Sequence, residues 1–213
     1  MKKALHPINL PDIVYQPMQH HCDDLVTLFD RCFAGDFNTR LRGGFAEPEY
    51  LPADAASPSH RIHFTRDYFR SALHEVAHWC VAGAERRLLP DFGYWYAPDG
   101  RTAGQQQAFE QVEVKPQALE WLFCVAAGHR FDVSTDNLSG EATDPEPFRA
   151  KVRAQVLSYL DAGLKERPAR FVEALLAFYR PGATLSADSF PESGRTPLPG
   201  ADPESSELQT RPS

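Results

Sequence analysis

Apolar residues Leu25, Leu28, Phe29, Cys32 and Phe33 recur at three- and four-residue steps through residues 20–34, a spacing that predicts a helix ending near Gly35. The spacing returns in Phe69, Leu73, Val76, Ala77 and Cys80, with Thr65 placed as a cap and Asp67 in the first turn. Gly83 and the Arg86-Arg87 pair read as the end of that helix. A third helix is predicted over residues 105–127, where the run from Leu119 to Ala127 is too apolar to face water and Gly128 supplies a stop. Pro116 interrupts it, so the expectation is a kink or a second helix with Pro116 near its start. Two scaffold helices follow over residues 146–161 and 167–179, the second admitting Pro168 in its first turn.

The intervening segments carry a different pattern. Residues 36–60 mix Gly43-Gly44 with Pro48, Pro52 and Pro58, which predicts a long structured loop with at most short strands around Tyr50 and residues 61–64. Aromatic side chains dominate residues 91–96, ahead of a Pro98-Asp99-Gly100 turn, and read as a short strand or extended segment. The expected fold is therefore α+β and helix-dominated: a single domain with a small β-sheet, drawn from the regions of Tyr50, 61–64 and 91–96, packed against two helices that hold a metal site. Residues 1–19 read as an extended lead-in and 20–190 as the domain. Residues 191–213, rich in proline and serine, read as a tail too polar to offset the entropy of ordering it.

Composition narrows the function classes. With 213 residues, 42% of them hydrophobic, the chain can bury one sizeable core. It contains no apolar run long enough to span a membrane and no apolar segment near Met1 that would make a secretory signal. A formal charge of −7 argues against a nucleic-acid partner, since phosphate neutralisation needs a basic face. Cys22, Cys32, Cys80 and Cys124 show no paired spacing and are expected as reduced thiols, which suits a cytoplasmic location.

The candidate chemistry sits on the second helix. His74-Glu75-Val76-Ala77-His78 places two imidazoles four residues apart, on one helical face, able to address one ion. In a chain with 8 histidines this pattern is expected by chance only about 0.02 times, so it is read as a metal motif. Glu75 projects roughly 60–100° around the turn, close enough to act as an acid or base on a metal-bound species but poorly placed as a ligand. Two histidines leave an ion short of donors, and a carboxylate from a second helix is the usual complement. Glu113, beside the Pro116 break and flanked by Val112 and Val114, is the first choice; Glu110 and then Glu120 are the substitutes. Such a set supports peptide hydrolysis with Zn²⁺ and Glu75 as base, or dioxygen activation with Fe²⁺. Ligand identity alone does not decide between them. Asp91, Tyr94, Trp95, Tyr96 and Asp99 are candidates for a substrate-binding wall that would hold an ammonium group by cation–π and charge attraction.

Several runs resemble the elongation factor P hydroxylase family: residues 32–40 (CFAGDFNTR), 49–54 (EYLPAD), 74–80 (HEVAHWC), 91–101 (DFGYWYAPDGR) and 112–119 (VEVKPQAL). The resemblance covers about residues 20–190. It implies an iron-dependent monooxygenase-type hydroxylation, using dioxygen, of the lysine of elongation factor P that already carries a β-lysyl group. His74 and His78 match that family's metal-binding histidines, and a glutamate in the 112–116 run, most simply Glu113, matches its carboxylate ligand.

Overall fold

The structure, a computed structural model, describes residues 19–93, 100–135 and 144–192. Five α-helices dominate these residues: α1 (Cys22–Phe33), α2 (Phe69–Val81), α3 (Ala103–Ala127), α4 (Glu146–Ala162) and α5 (Glu166–Tyr179). Between α1 and α2 the chain forms a three-stranded sheet from β1 (Thr39–Phe45), β2 (Glu49–Leu51) and β3 (His60–Thr65). The strand order is β1-β3-β2, with β1 parallel and β2 antiparallel to β3, so that Ile62 faces both Leu41 and Tyr50 across the ladder. The architecture is the helix-dominated α+β domain expected from the pattern, but one strand differs.

Among the described residues the third strand is β1, inside the segment expected to be a loop; of the strand expected at 91–96 only residues 91–93 are described, and they form no strand. Pro90–Gly93 forms a tight turn with Asp91 and Phe92 in left-handed backbone, while residues 94–99 lie outside the described residues. Alternation in β1 lasts only from Thr39 to Arg42 before Gly43-Gly44 breaks it, too short a signal to stand out. What secures the strand is non-local. Asp30 on α1 accepts hydrogen bonds from Arg40 at 3.0 Å, Arg42 at 2.9 Å and the Leu41 backbone at 3.1 Å. Gly43 is required because a Cβ there would lie 2.4 Å from the Phe64 ring.

α2 follows β3 almost directly. Its cap position is Tyr68 rather than Thr65, which is the last residue of β3, and Asp67 falls before the helix. The Thr65 amide instead donates to the Ser71 hydroxyl at 3.1 Å, so the helix's first turn reaches back to the strand. Near the other end of α2, Trp79 is fully buried among Phe29, Phe33 and Phe37 at ring separations of 5.2, 4.8 and 5.6 Å. Arg167 from α5 lies over its indole and donates to the Trp79 and Ala82 carbonyls at 2.6 and 2.7 Å, satisfying acceptors the helix end leaves open. Trp79→Ala is expected to destabilise the protein by about 3–5 kcal/mol, as large-to-small changes in packed cores do, measurable as a fall in denaturation midpoint.

α3 is the central helix. Thr102 and Gln105 form its capping box, and it runs unbroken through Pro116 to Gly128, whose φ of 71° makes the left-handed cap. The alternative of a second helix starting at Pro116 is therefore excluded. Without an amide hydrogen, Pro116 leaves the Val112 carbonyl without its intrahelical partner, and both residues line the cleft described below. From Pro116 onward every residue of α3 is buried, packed by α2, α4 and α5. The core closes at Phe190, fully buried 5.6 Å from Trp121, with its carbonyl held by Arg153 at 2.8 Å.

Candidate metal centre

Where α2 crosses α3, the two imidazoles meet a buried carboxylate. The Nε2 atoms of His74 and His78 are 3.0 Å apart. Glu113, 1% exposed, points at both, with Oε1 3.3 Å from His78 Nε2 and Oε2 3.7 Å from His74 Nε2. One donor atom from each residue lies within 4.8 Å of the others. Two imidazole nitrogens this close repel through their lone pairs unless a proton or a cation lies between them, and roughly 3 Å is the spacing of nitrogens sharing one ion at about 2.1 Å. Glu113 Oε1 is buried and makes no hydrogen bond of acceptable geometry, so it too lacks the partner that a buried oxygen needs. These donors fit a divalent cation.

Glu110 and Glu120, the substitutes from sequence, lie elsewhere. Glu110 pairs with Lys151 at 3.8 Å. Glu120 stands behind His74: its Oε2 accepts from His74 Nδ1 at 2.9 Å, and its Oε1 takes Arg70 Nε and a terminal guanidinium nitrogen at 3.0 and 2.7 Å. This is the carboxylate–histidine pairing that fixes the tautomer of a metal ligand and raises its basicity. Nothing in the sequence distinguished that role from ligation, because Glu113 and Glu120 lie seven residues apart on one face of α3.

Charge in the centre is strongly perturbed. Burial opposes a charged His74, but the hydrogen bond and charge of Glu120, with Glu113 and Glu75 adding to them, push its pKa up to about 10. Burial likewise opposes ionised Glu113, yet the neighbouring histidines and the Gln117 amide hold it down to about 2. Glu75 goes the other way: burial raises it, with Glu113 and Asp91 adding to the effect against the lowering influence of His74 and His78. Raised His74 contributes stability that is present below its unfolded value of 6.5 and lost as pH rises toward 10, whereas depressed Glu113 contributes stability present above 4.5 and lost as pH falls toward 2. Calorimetry on chelator-treated protein is expected to show the melting temperature falling on both sides, between pH 6.5 and 10 and below 4.5. Added metal should shrink the alkaline loss, because the cation replaces the proton.

The centre opens into a cleft of about 400 Å³. Glu75, His78 and Glu113 form its floor, and Glu47, Glu49, Tyr50, Asp91, Phe92 and Val112 are among its walls. No lysine or arginine is among the described lining residues, so the cleft is acidic. Of the five wall residues proposed from sequence, Asp91 lines it, while Tyr94, Trp95, Tyr96 and Asp99 lie outside the described residues. Glu47 and Glu49 were not anticipated, since only the β2–β3 pairing brings them across from α2. Asp91 and Phe92 both adopt left-handed backbone, at φ 47° and 57°, which for a bulky phenylalanine costs on the order of 1–3 kcal/mol. Contacts with Tyr50 hold that conformation: its amide donates to Asp91 at 2.8 Å and its ring stacks on Phe92 at 4.2 Å. The strained turn thereby fixes one wall of the cleft.

Comparison with known proteins identifies the family. Residues 28–190 match the family model described as elongation factor P hydroxylase, and the matched region ends at the same Phe190 that closes the core. The elongation factor P lysine hydroxylase of Haemophilus influenzae is 51% identical over 162 residues, covering 76% of this chain and 91% of that protein. From the extent of both matches, the chain belongs to the elongation factor P hydroxylase family.

Proposed function

We propose that this protein hydroxylates the β-lysylated lysine side chain of elongation factor P in the cytoplasm, using Fe²⁺ held by His74, His78 and Glu113. The observation that carries the reading is the set of two imidazoles and one unsatisfied buried carboxylate facing one point at the floor of an acidic cleft. A ligand set of two histidines and one carboxylate with open positions is the facial arrangement used by non-haem iron oxygenases, and the bound ion would supply dioxygen activation. In the overall reaction a substrate C–H becomes C–OH, the second oxygen atom leaves as water, and an external reductant supplies the remaining electrons.

The chain's own residues do the rest. Asp91, with Glu47 and Glu49, gives the cleft the negative charge that receives a lysine arm and its ammonium groups. Glu75, whose carboxyl pKa burial raises, lines the cleft beside the three converging residues, where it would orient or exchange a proton with a group bound there. Family membership does not favour the zinc hydrolase alternative, in which Glu75 would be the essential base. Among the described residues no helix is long and apolar enough to cross a membrane.

Metal analysis by X-ray fluorescence on anaerobically purified protein is expected to find iron, absent from a His74→Ala/His78→Ala variant. Glu75→Gln separates the chemistries: hydroxylation should fall but persist, whereas a hydrolase would lose its base and its activity. Peptide cleavage by zinc-loaded wild type, abolished in Glu75→Gln, would contradict the oxygenase reading.

A further inference from the structure

Glu113 is buried deep enough that its orientation must be imposed by a neighbour, and the neighbour is Gln117. One turn further along α3, Gln117 is fully buried and its amide is held at every position. Its Oε1 accepts from the Ser134 amide at 2.9 Å, and its Nε2 donates to the Ser134 carbonyl at 2.7 Å and to Glu113 Oε2 at 3.5 Å. Because Ser134 presents both a donor and an acceptor, the amide can sit only one way round. Its nitrogen must face the carboxylate. Oε2 of Glu113 is thus engaged, and Oε1, without a hydrogen bond, is the oxygen left toward His78.

We propose that Gln117 is a positioning residue for Glu113, holding one carboxylate oxygen so that the other serves the metal and the remaining coordination positions stay open. The extended segment 131–135 is the frame for this device. It anchors Gln117 through Ser134, Arg70 through the Asp132 carbonyl at 2.7 Å, and Gln106 through the Thr135 carbonyl at 3.1 Å. The supports of Glu113 and, by way of Arg70 and Glu120, of His74 therefore converge on one stretch of backbone. Gln106 supplies an internal control: it is equally buried and bonds the same segment, but its oxygen accepts from Arg101 and its amide does not contact Glu113.

The inference rests on Glu113 being a metal donor, and the experiment separates the two claims. Co²⁺ is titrated into the full-length wild type, Gln117→Met, Gln106→Met and Glu113→Ala proteins, reading both Kd and the visible absorption bands that report coordination number. Gln117→Met is expected to weaken binding roughly ten- to hundredfold and to change the spectrum, as loss of a partner behind a ligand does, while Gln106→Met leaves both near wild type. Equal behaviour of the two glutamine variants, unchanged or damaged alike, would overturn the positioning role. Retained Co²⁺ in Glu113→Ala overturns the ligand assignment itself; loss there with wild-type binding in Gln117→Met overturns only the positioning role. If Gln117→Met does not fold, the wild type still decides: on adding Zn²⁺ the side-chain amide ¹⁵N resonance of Gln117 should shift and that of Gln106 should not. A Gln117 resonance that stays in place rejects the proposal.

Discussion

Glu113→Ala protein is expected to lose its metal as severely as His74→Ala or His78→Ala, with Glu110→Ala retaining it. The substitution removes the only anionic donor among the three residues that converge, leaving neutral imidazoles to hold a dication. Loss should be close to complete instead of graded. Glu110 is the informative contrast because it lies three residues away on the same helix yet pairs with Lys151. Metal-free Glu113→Ala should also melt below metal-free wild type at neutral pH, because it loses the pairing with His78 and His74 that depresses the Glu113 carboxyl, offset only in part by removal of that group's desolvation cost. Metal content by inductively coupled plasma spectrometry and melting of the metal-free forms test both halves.

Glu120→Ala is expected to damage both stability and the metal centre. Glu120 is 2% exposed and ties His74 on α2 to Arg70, one turn earlier on the same helix, so its loss leaves the Arg70 guanidinium without its anionic partner, bonded to the Asp132 carbonyl, and frees the His74 ring. Breaking a buried pair by removing one partner costs about 3–5 kcal/mol, and the partial exposure of Arg70 reduces this to roughly 2–4 kcal/mol. Metal affinity should fall a further ten- to hundredfold, roughly the effect of losing a hydrogen-bonded partner of a ligating histidine. Glu120→Gln keeps an acceptor for one side of this network and should lie between wild type and Glu120→Ala in both denaturant midpoint and metal Kd.

The helices were legible because each buries a stripe that local spacing reveals: Leu25, Phe29 and Phe33 on α1, and Leu73, Val76 and Cys80 on α2. The His74–His78 pair was legible for the same reason, since i and i+4 share a face wherever the helix goes. β1 was hidden because its stability comes from Asp30, on another element, gripping Arg40 and Arg42. The start of α2 was misplaced because Thr65 has the side chain of a cap but is used as the end of β3. Glu113 could be ranked above Glu110 and Glu120, but the separate tasks of the three depend on what α2 and α4 bring against α3. Glu47 and Glu49 reach the cleft only through strand pairing, and Gln117 reaches Glu113 in a direction set by Ser134. Local periodicity reports which face is buried; it carries no information on which partner meets that face.

The most direct test of the account is the mass of its substrate. Protein loaded anaerobically with Fe²⁺ is mixed with a reductant, oxygen and either β-lysylated or unmodified elongation factor P, and each factor is weighed intact and mapped by peptide fragmentation. The account predicts that the β-lysylated factor gains one oxygen atom at the modified lysine, that the unmodified factor gains none, and that neither changes with the His74→Ala/His78→Ala variant. An unchanged mass for the β-lysylated factor with iron-loaded wild type, accompanied by peptide cleavage with the zinc-loaded form, would contradict it.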